Sequence, residues 1–154
     1  MEKAGLLQPS PEHPNQAERR PADVFLPAWL SGAPVALDFA VVSPQRQEVL
    51  RQASLQVGYA STLYDNFKRK YLDTEADCKR QGVTFQPMVA EPSGGWSPAA
   101  VLVWKQLARM ESLRTGETAA QFAERHFQRL SVTIRRACAD AVIRRAEGRP
   151  HTAV

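Results

Sequence analysis

Residues 35–43, V-A-L-D-F-A-V-V-S, are the strongest strand candidate, because they are rich in the β-branched and aromatic residues that strands favour. Side chains on a strand alternate between its two faces, so Asp38 shares a face with Ala36, Ala40 and Val42. A carboxylate among apolar neighbours is costly to bury unless a cation lies beside it. This stretch therefore predicts a core strand that carries a charged site.

A shorter strand candidate, residues 23–26, precedes it, and residues 29–34 supply the turn chemistry of a hairpin between the two. Such a hairpin can bring the carboxylates of Asp23 and Asp38 close together. Two neighbouring carboxylates repel each other, and a divalent cation with a preference for oxygen ligands relieves that repulsion. The alternative is structural: Asp23 is a turn-forming residue, and Asp38 pairs with an arginine from a helix.

The rest of the chain alternates helical and strand patterns. We predict helices over residues 45–57 and 61–80, a strand over 83–89, and helices over 97–114 and 117–146. Gly82 is placed as a helix C-cap, and Ser97 with Pro98 as a helix start. Pro87 places the 83–89 strand near an edge or a strand end. The order predicts an α/β fold: a small mixed sheet with a β-hairpin and a crossover helix, followed by two C-terminal helices.

Composition narrows the class of protein. The chain has 154 residues, 44% of them hydrophobic and 23% charged, which suits one globular domain. The net charge of +4 is compatible with a polyanionic partner. The sequence contains no apolar run of the roughly 18 residues that a membrane span needs, and no secretory signal. Two distant cysteines fit an intracellular protein with reduced thiols.

A family resemblance adds to this reading. Arg20-Pro21-Ala22-Asp23, followed after fourteen residues by Asp38, resembles the PD-(D/E)XK nuclease pattern. More narrowly, the chain resembles the restriction-like endonuclease domain that follows the reverse transcriptase in one group of non-LTR retrotransposons. The resemblance covers most of residues 20–146. It includes Lys68-Arg69-Lys70-Tyr71, residues 82–91, Gly94-Gly95-Trp96 and residues 127–132.

The resemblance implies a restriction-endonuclease-like core in which Asp23 and Asp38 are catalytic and bind Mg²⁺ or Mn²⁺. In the general pattern a lysine stands two positions after the second acid, but here that position is Ala40. In the retroelement group the following helix supplies the lysine, and Lys70 is the best match, with Lys68 as the second choice. That lysine would orient or activate the attacking water and stabilise charge on the phosphate. The same lysines also have the ordinary alternative of a solvated helix face.

The last helix has one apolar face and one basic side. The apolar positions recur at three-to-four spacing: Ala119, Ala123, Phe127, Leu130, Ile134, Ala137, Cys138 and Ala141. Arg125, Arg129 and Arg136 lie opposite. This pattern describes either a core-facing helix with a solvated back or arginines that follow a phosphate backbone. With Arg20 and Lys68, these arginines are the candidate nucleic-acid contacts.

The resulting functional expectation is a metal-dependent DNA endonuclease domain that nicks DNA for target-primed reverse transcription. DNA is the expected partner, with a reverse transcriptase or element RNA in trans, no membrane and no small-molecule cofactor, inside the cell and in the nucleus. The alternative is a non-catalytic basic module that binds nucleic acid or protein.

The expected organisation has four parts. Residues 1–21 form a proline-rich leader with an edge strand at 4–7, residues 22–96 the core, 97–147 a helical pair packed on it, and 148–154 a disordered tail. The leader has too many prolines for the helix that precedes the first strand in the family. We therefore expect a truncated or degenerate copy.

Overall fold

The structure, a computed structural model, describes Leu7, Pro14 and residues 21–148, apart from the side chain of Ser31. This part of the chain has an α/β fold with three strands and five α-helices. In chain order they are β1 (Val24–Leu26), β2 (Val35–Val41), α1 (Leu50–Ala53), α2 (Tyr59–Lys70), α3 (Thr74–Arg80), β3 (Thr84–Ala90), α4 (Pro98–Thr115) and α5 (Ala119–Ala146). The order confirms the predicted α/β class with two final helices.

The three strands form one mixed sheet in the order β1-β2-β3. β1 and β2 are antiparallel, with Val24 opposite Leu37, so the predicted hairpin is present. β2 and β3 are parallel, with Asp38 opposite Pro87, and the helices between them make the predicted crossover. Within the described sheet β3 lies at an edge, which is where a strand can tolerate a proline that donates no hydrogen bond.

The alternation predicted for β2 is confirmed. Val35 and Leu37 point to one face, where they pack with Met88 of β3 and Ala100 of α4. On the opposite face Ala36 is buried with Phe85 and other side chains beneath α3, and Ala40 packs near the start of α2. The sheet is therefore covered by α2 and α3 on one face and by α4 on the other.

Two predicted helices are wrong in part. The single helix expected over residues 61–80 is divided, because Leu72 and Asp73 have left-handed backbone angles, with φ of 49° and 52°. No glycine or proline marks this break in the sequence. Of the helix expected over residues 45–57 only the single turn of α1 forms. Leu55 and Val57 are exposed there, so little burial stabilises a longer helix.

The C-terminal helices begin and end close to the predicted positions. The Ser97 side chain accepts a hydrogen bond from the Ala100 backbone and caps α4, and Thr118 with Gln121 forms a capping box at α5. The predicted apolar face of α5 is its half-buried side, except that Ala137 is exposed. None of the described helices is long and apolar enough to cross a membrane. The strand expected at residues 4–7 lies outside the described residues, apart from Leu7.

Candidate active site

An ion pair links the central strand to α2. The Nζ atom of Lys68 lies 2.7 Å from Oδ2 of Asp38, and their side chains are 25% and 14% exposed. Asp38 comes from the middle of β2, on the face that α2 covers, and Lys68 comes from the last turn of α2. The cation that the sequence requires beside Asp38 is therefore a lysine and not an arginine.

Asp23 lies one position before the first residue of β1 and extends the hairpin. Its backbone N–H donates to the carbonyl of Leu37 at 3.0 Å, and its Oδ2 accepts from the backbone N–H of Phe39 at 2.7 Å. Just before the first residue of β1, the Asp23 carboxylate therefore accepts the hydrogen bond that a backbone carbonyl would accept within a strand pair. Because its partners flank Asp38 on both sides along β2, the two aspartates are neighbours, which the predicted hairpin allowed but did not require.

The pKa of Asp38 is raised above its ordinary value. Burial is the largest cause, the hydrogen bond and charge of Lys68 act against it, and the nearby negative charge of Asp23 raises it further. Lys68 therefore does not fully compensate for desolvation and for the second carboxylate. A further positive charge at this position would favour the ionised form of Asp38.

The donor set fits a hydrated divalent cation. Oδ2 of each aspartate makes the closest contact, and among the described residues no hydrogen bond to either Oδ1 atom is found. The described residues contain no group of three or more His, Cys, Asp or Glu side chains that could hold a metal. Two carboxylate oxygens with water in the remaining positions suit Mg²⁺ and Mn²⁺, which are bound through oxygen ligands, better than zinc.

Asp38 and Lys68 line a cleft of about 290 Å³. Its other lining residues are Pro21, Tyr71, Leu72, Thr74 and Phe85. Leu72 and Asp73, the two residues with left-handed backbone angles, turn the chain from α2 into α3 beside this cleft. Non-glycine residues in this conformation cost free energy and are often found next to functional sites. Through Leu72, the strained turn forms part of the wall of the cleft.

A buried hydrogen-bond network holds α2 in place and was not predicted from the sequence. Asp65 accepts from Arg69 Nε at 2.7 Å and from Ser97 Oγ at 2.9 Å. Arg69 also pairs with Glu75 of α3 at 2.6 Å, across the strained turn. The four-residue spacing of Asp65 and Arg69 was a signal for the pair, but only the fold shows that it is partly buried. Since Lys68 adjoins Arg69, this network positions the lysine.

Glu91, to which the sequence assigned no role, is also buried. Its Oε1 accepts a hydrogen bond at 3.1 Å from the backbone N–H of Ser61, in the first turn of α2. A carboxylate at this place satisfies a backbone donor that the helix leaves unpaired, and it interacts favourably with the helix dipole. Glu91 therefore anchors the start of α2, while the Asp65 network anchors its middle.

The remaining predicted residues lie apart from the acid pair. Lys70 is exposed and lines a different groove, with Val42, Arg46 and Tyr64, so Lys68 replaces it as the candidate lysine. Arg20 lies outside the described residues. Arg125 pairs with Glu117 through two 2.7 Å contacts.

Arg129 and Arg136 are exposed on α5, which packs against α4 on the other side of the sheet. Their placement leaves them available to a partner but separates them from Asp38 by the thickness of the sheet.

The sequence matches no protein-family model, and no curated protein or solved structure is similar to it. Any functional assignment of this chain therefore rests on its own residues and on the geometry of their site.

Proposed function

We propose that this chain is a metal-dependent DNA endonuclease domain of the restriction-like type found in retroelements, using Mg²⁺ or Mn²⁺. The observation that carries the proposal is the convergence of Asp23, Asp38 and Lys68 at one end of the hairpin, where Asp38 and Lys68 line an open cleft. The hairpin, the crossover helices and the parallel third strand follow the order expected of a restriction-endonuclease-like core, which supports the same assignment.

The chemistry divides between the bound ion and the side chains. When bound, a divalent ion supplies Lewis acidity and an activated water for phosphodiester hydrolysis. The carboxylates of Asp23 and Asp38 would hold it, and the Phe39 N–H keeps the Asp23 carboxylate oriented. Lys68 donates to a phosphate oxygen or to the attacking water, where its charge offsets the negative charge that develops. Before DNA binds, the same ammonium group is held by Asp38.

The wider assignment follows from the resemblance of the sequence. DNA is the proposed substrate, nicked to prime reverse transcription, with a polymerase or element RNA acting in trans and with the nucleus as the place of action. A degenerate copy would keep the fold and the acid pair while cutting slowly.

Nicking of supercoiled plasmid by the purified chain tests the proposal, with Mg²⁺, Mn²⁺ or EDTA in parallel. Asp23→Asn, Asp38→Asn and Lys68→Met are each expected to slow relaxation by about a hundredfold or more, the usual effect of removing one acid-base or charge-stabilising group. Lys105→Met is the matched control, because Lys105 is exposed on α4, away from the cleft.

The outcomes separate the candidates. Loss of nicking in the three cleft variants, with normal nicking by Lys105→Met, supports the enzyme. If Lys70→Met abolishes nicking at saturating DNA and Lys68→Met does not, the lysine assignment is wrong. Equal nicking by wild type and by the Asp23→Asn/Asp38→Asn double variant means contamination. That result would favour the non-catalytic basic module, which the internal pairing of Lys68 with Asp38 also fits.

A further inference from the structure

Three aromatic side chains form a continuous stripe along α2. Tyr64, Phe67 and Tyr71 follow one another at three- and four-residue spacing, with ring centroids 5.6 and 5.4 Å apart. Phe67 is 50% exposed and Tyr71 53% exposed. Large aromatic residues usually bury most of their surface, so two half-exposed rings in contact with each other are a surface that the fold itself does not use.

The aromatic stripe joins the candidate active site to a second groove. Tyr71 lines the cleft that contains Asp38 and Lys68. Tyr64 and Phe67 line the neighbouring groove, of about 510 Å³, at the end of β2. Lys68 connects the cleft with the stripe. Its Nζ pairs with Asp38 in the cleft and also lies 5.9 Å from the centroid of the Tyr64 ring. A ligand on the stripe would therefore reach the acid pair.

The groove beside the stripe has a small net positive charge. Among the described residues, Lys70 and Arg46 line it together with one acidic residue, Glu48. Arg46 lies 3.6 Å from Glu48, whereas Lys70 has no ion-pair partner in the part of the chain that the structure describes. Aromatic rings with cations at their margin are the surface on which single-stranded nucleic acid binds, with bases on the rings and phosphates at the cations.

From this arrangement we infer that the aromatic stripe binds an unpaired segment of DNA and leads that strand to the acid pair. The inference rests on the proposed function, since it names the form of DNA that the site accepts. Stacking needs the face of a ring and is tolerant of sequence, because every base has such a face. The bases of a regular duplex are already stacked on one another, so the strand must be unpaired where it meets Phe67 and Tyr71.

Fluorescence anisotropy with labelled (dT)12 in EDTA tests this on the whole chain, without cleavage. The chain is expected to bind (dT)12 more tightly than a 12-base-pair duplex. Phe67→Leu is expected to weaken (dT)12 binding by about tenfold, because leucine keeps the apolar bulk and loses the ring face. Phe67→Trp should restore binding to wild-type strength or better. Leu113→Ala, at an 89% exposed position on α4, is the control and should bind normally.

Salt dependence gives a second readout. Lys70→Met should reduce the slope of log affinity against log salt by about 0.7, the value for one phosphate contact on a single strand. Phe67→Leu should leave that slope unchanged while lowering affinity at every salt concentration. A slope reduced by about 0.7 with Phe67→Leu, or an unchanged slope with Lys70→Met, would contradict the assigned roles.

The inference and the proposed function can fail separately. If Phe67→Leu binds (dT)12 like wild type, or if the duplex binds as well as the single strand, the stripe is not a stacking surface, whatever the nicking assay shows. Tighter binding of (rU)12 than of (dT)12 would overturn the assignment to DNA. Stripe-dependent (dT)12 binding with no metal-dependent nicking would overturn the endonuclease and leave the binding surface in place.

Discussion

The two faces of the sheet are built from the same strands but from different chemistry. Beneath α2 and α3 the structure buries polar and charged side chains, among them Asp65, Asp77 and Glu91, each with hydrogen bonds or an ion pair. Beneath α4 the contacts are apolar and aromatic, with Trp96 and Trp104 packed edge to face, 5.3 Å apart. Among the described residues, the only buried side-chain nitrogen or oxygen atoms without a hydrogen-bond partner are the two indole Nε1 atoms on this face.

This difference shows how the fold can maintain a charged cleft. The apolar face supplies burial, which stabilises the sheet without directional requirements. The charged face holds α2 at one place through specific partners, and buried polar groups are costly whenever such a partner is lost. The candidate site lies on the charged face because its carboxylates and lysine need directed contacts.

The largest effect is expected on the apolar face. Met88 is fully buried between β3 and α4, and Met88→Ala should lower the free energy of unfolding by about 2–5 kcal/mol through lost burial and the cavity that remains. Urea denaturation measures this. Val41→Ala, at an exposed position of β2, should change stability by no more than about 0.5 kcal/mol. Similar losses in both variants would mean that α4 does not stabilise the sheet through this contact.

A slightly smaller effect is expected where the loop after β3 meets α5. Gly94 has a φ of 95°, and a Cβ atom there would collide with the side chain of Ser131, lying 2.8 Å from its Cβ. Gly94→Ala should therefore cost about 2–4 kcal/mol, from left-handed strain and overpacking together. Gly116→Ala has similar strain, but nothing lies within 4 Å, so its cost should be about 1–2 kcal/mol. Equal losses would show that α5 does not pack against the loop.

On the charged face, Asp65→Asn should destabilise by about 1.5–3 kcal/mol, the range for hydrogen bonds to charged groups. The amide keeps the shape and a contact with Ser97, while Arg69 loses the more buried of its two carboxylate partners and keeps Glu75. Urea denaturation at neutral pH gives the value. Asp140→Asn, exposed on α5, is the control and should be neutral. A neutral Asp65→Asn would mean that the network does not anchor α2.

The smallest effect has the opposite sign. The raised pKa of Asp38 means that the folded chain holds this proton more tightly than the unfolded chain does. Wild type should therefore lose stability relative to Asp38→Asn as the pH rises from the ordinary value of 3.8 through the raised one, and the difference should level off above it. Mg²⁺ should reduce this difference at neutral pH by stabilising wild type only.

Urea denaturation between pH 3 and 8, with and without Mg²⁺, checks this. A wild type that does not lose stability relative to Asp38→Asn between pH 3 and neutral pH in EDTA would show that Lys68 fully compensates for the buried carboxylate. That result would remove the electrostatic reason for a metal at this position.

Much of the fold could be predicted from local patterns. The alternation in residues 35–43 identified β2 and its two faces, and the caps at Ser97 and Gly82 marked real helix ends. The break at Leu72 and Asp73 could not be predicted, because leucine disfavours a left-handed backbone and aspartate tolerates one without requiring it. Because α2 ends at this break, the break also affects which lysine of its last turn faces the cleft.

What the sequence alone determined is the hairpin, since strand period and turn chemistry are local properties. The hairpin allowed the two acids to approach each other, and the register of the strands decided that they do. The tertiary structure decided which amine serves Asp38. Lys68 and Lys70 are two residues apart on one helix, and two residues on a helix point in very different directions. The rotation of α2 is set by Asp65, Arg69 and Glu91 contacts that join residues more than twenty positions apart in sequence or bridge two helices. Such contacts depend on the whole packed fold, so no local pattern contains them.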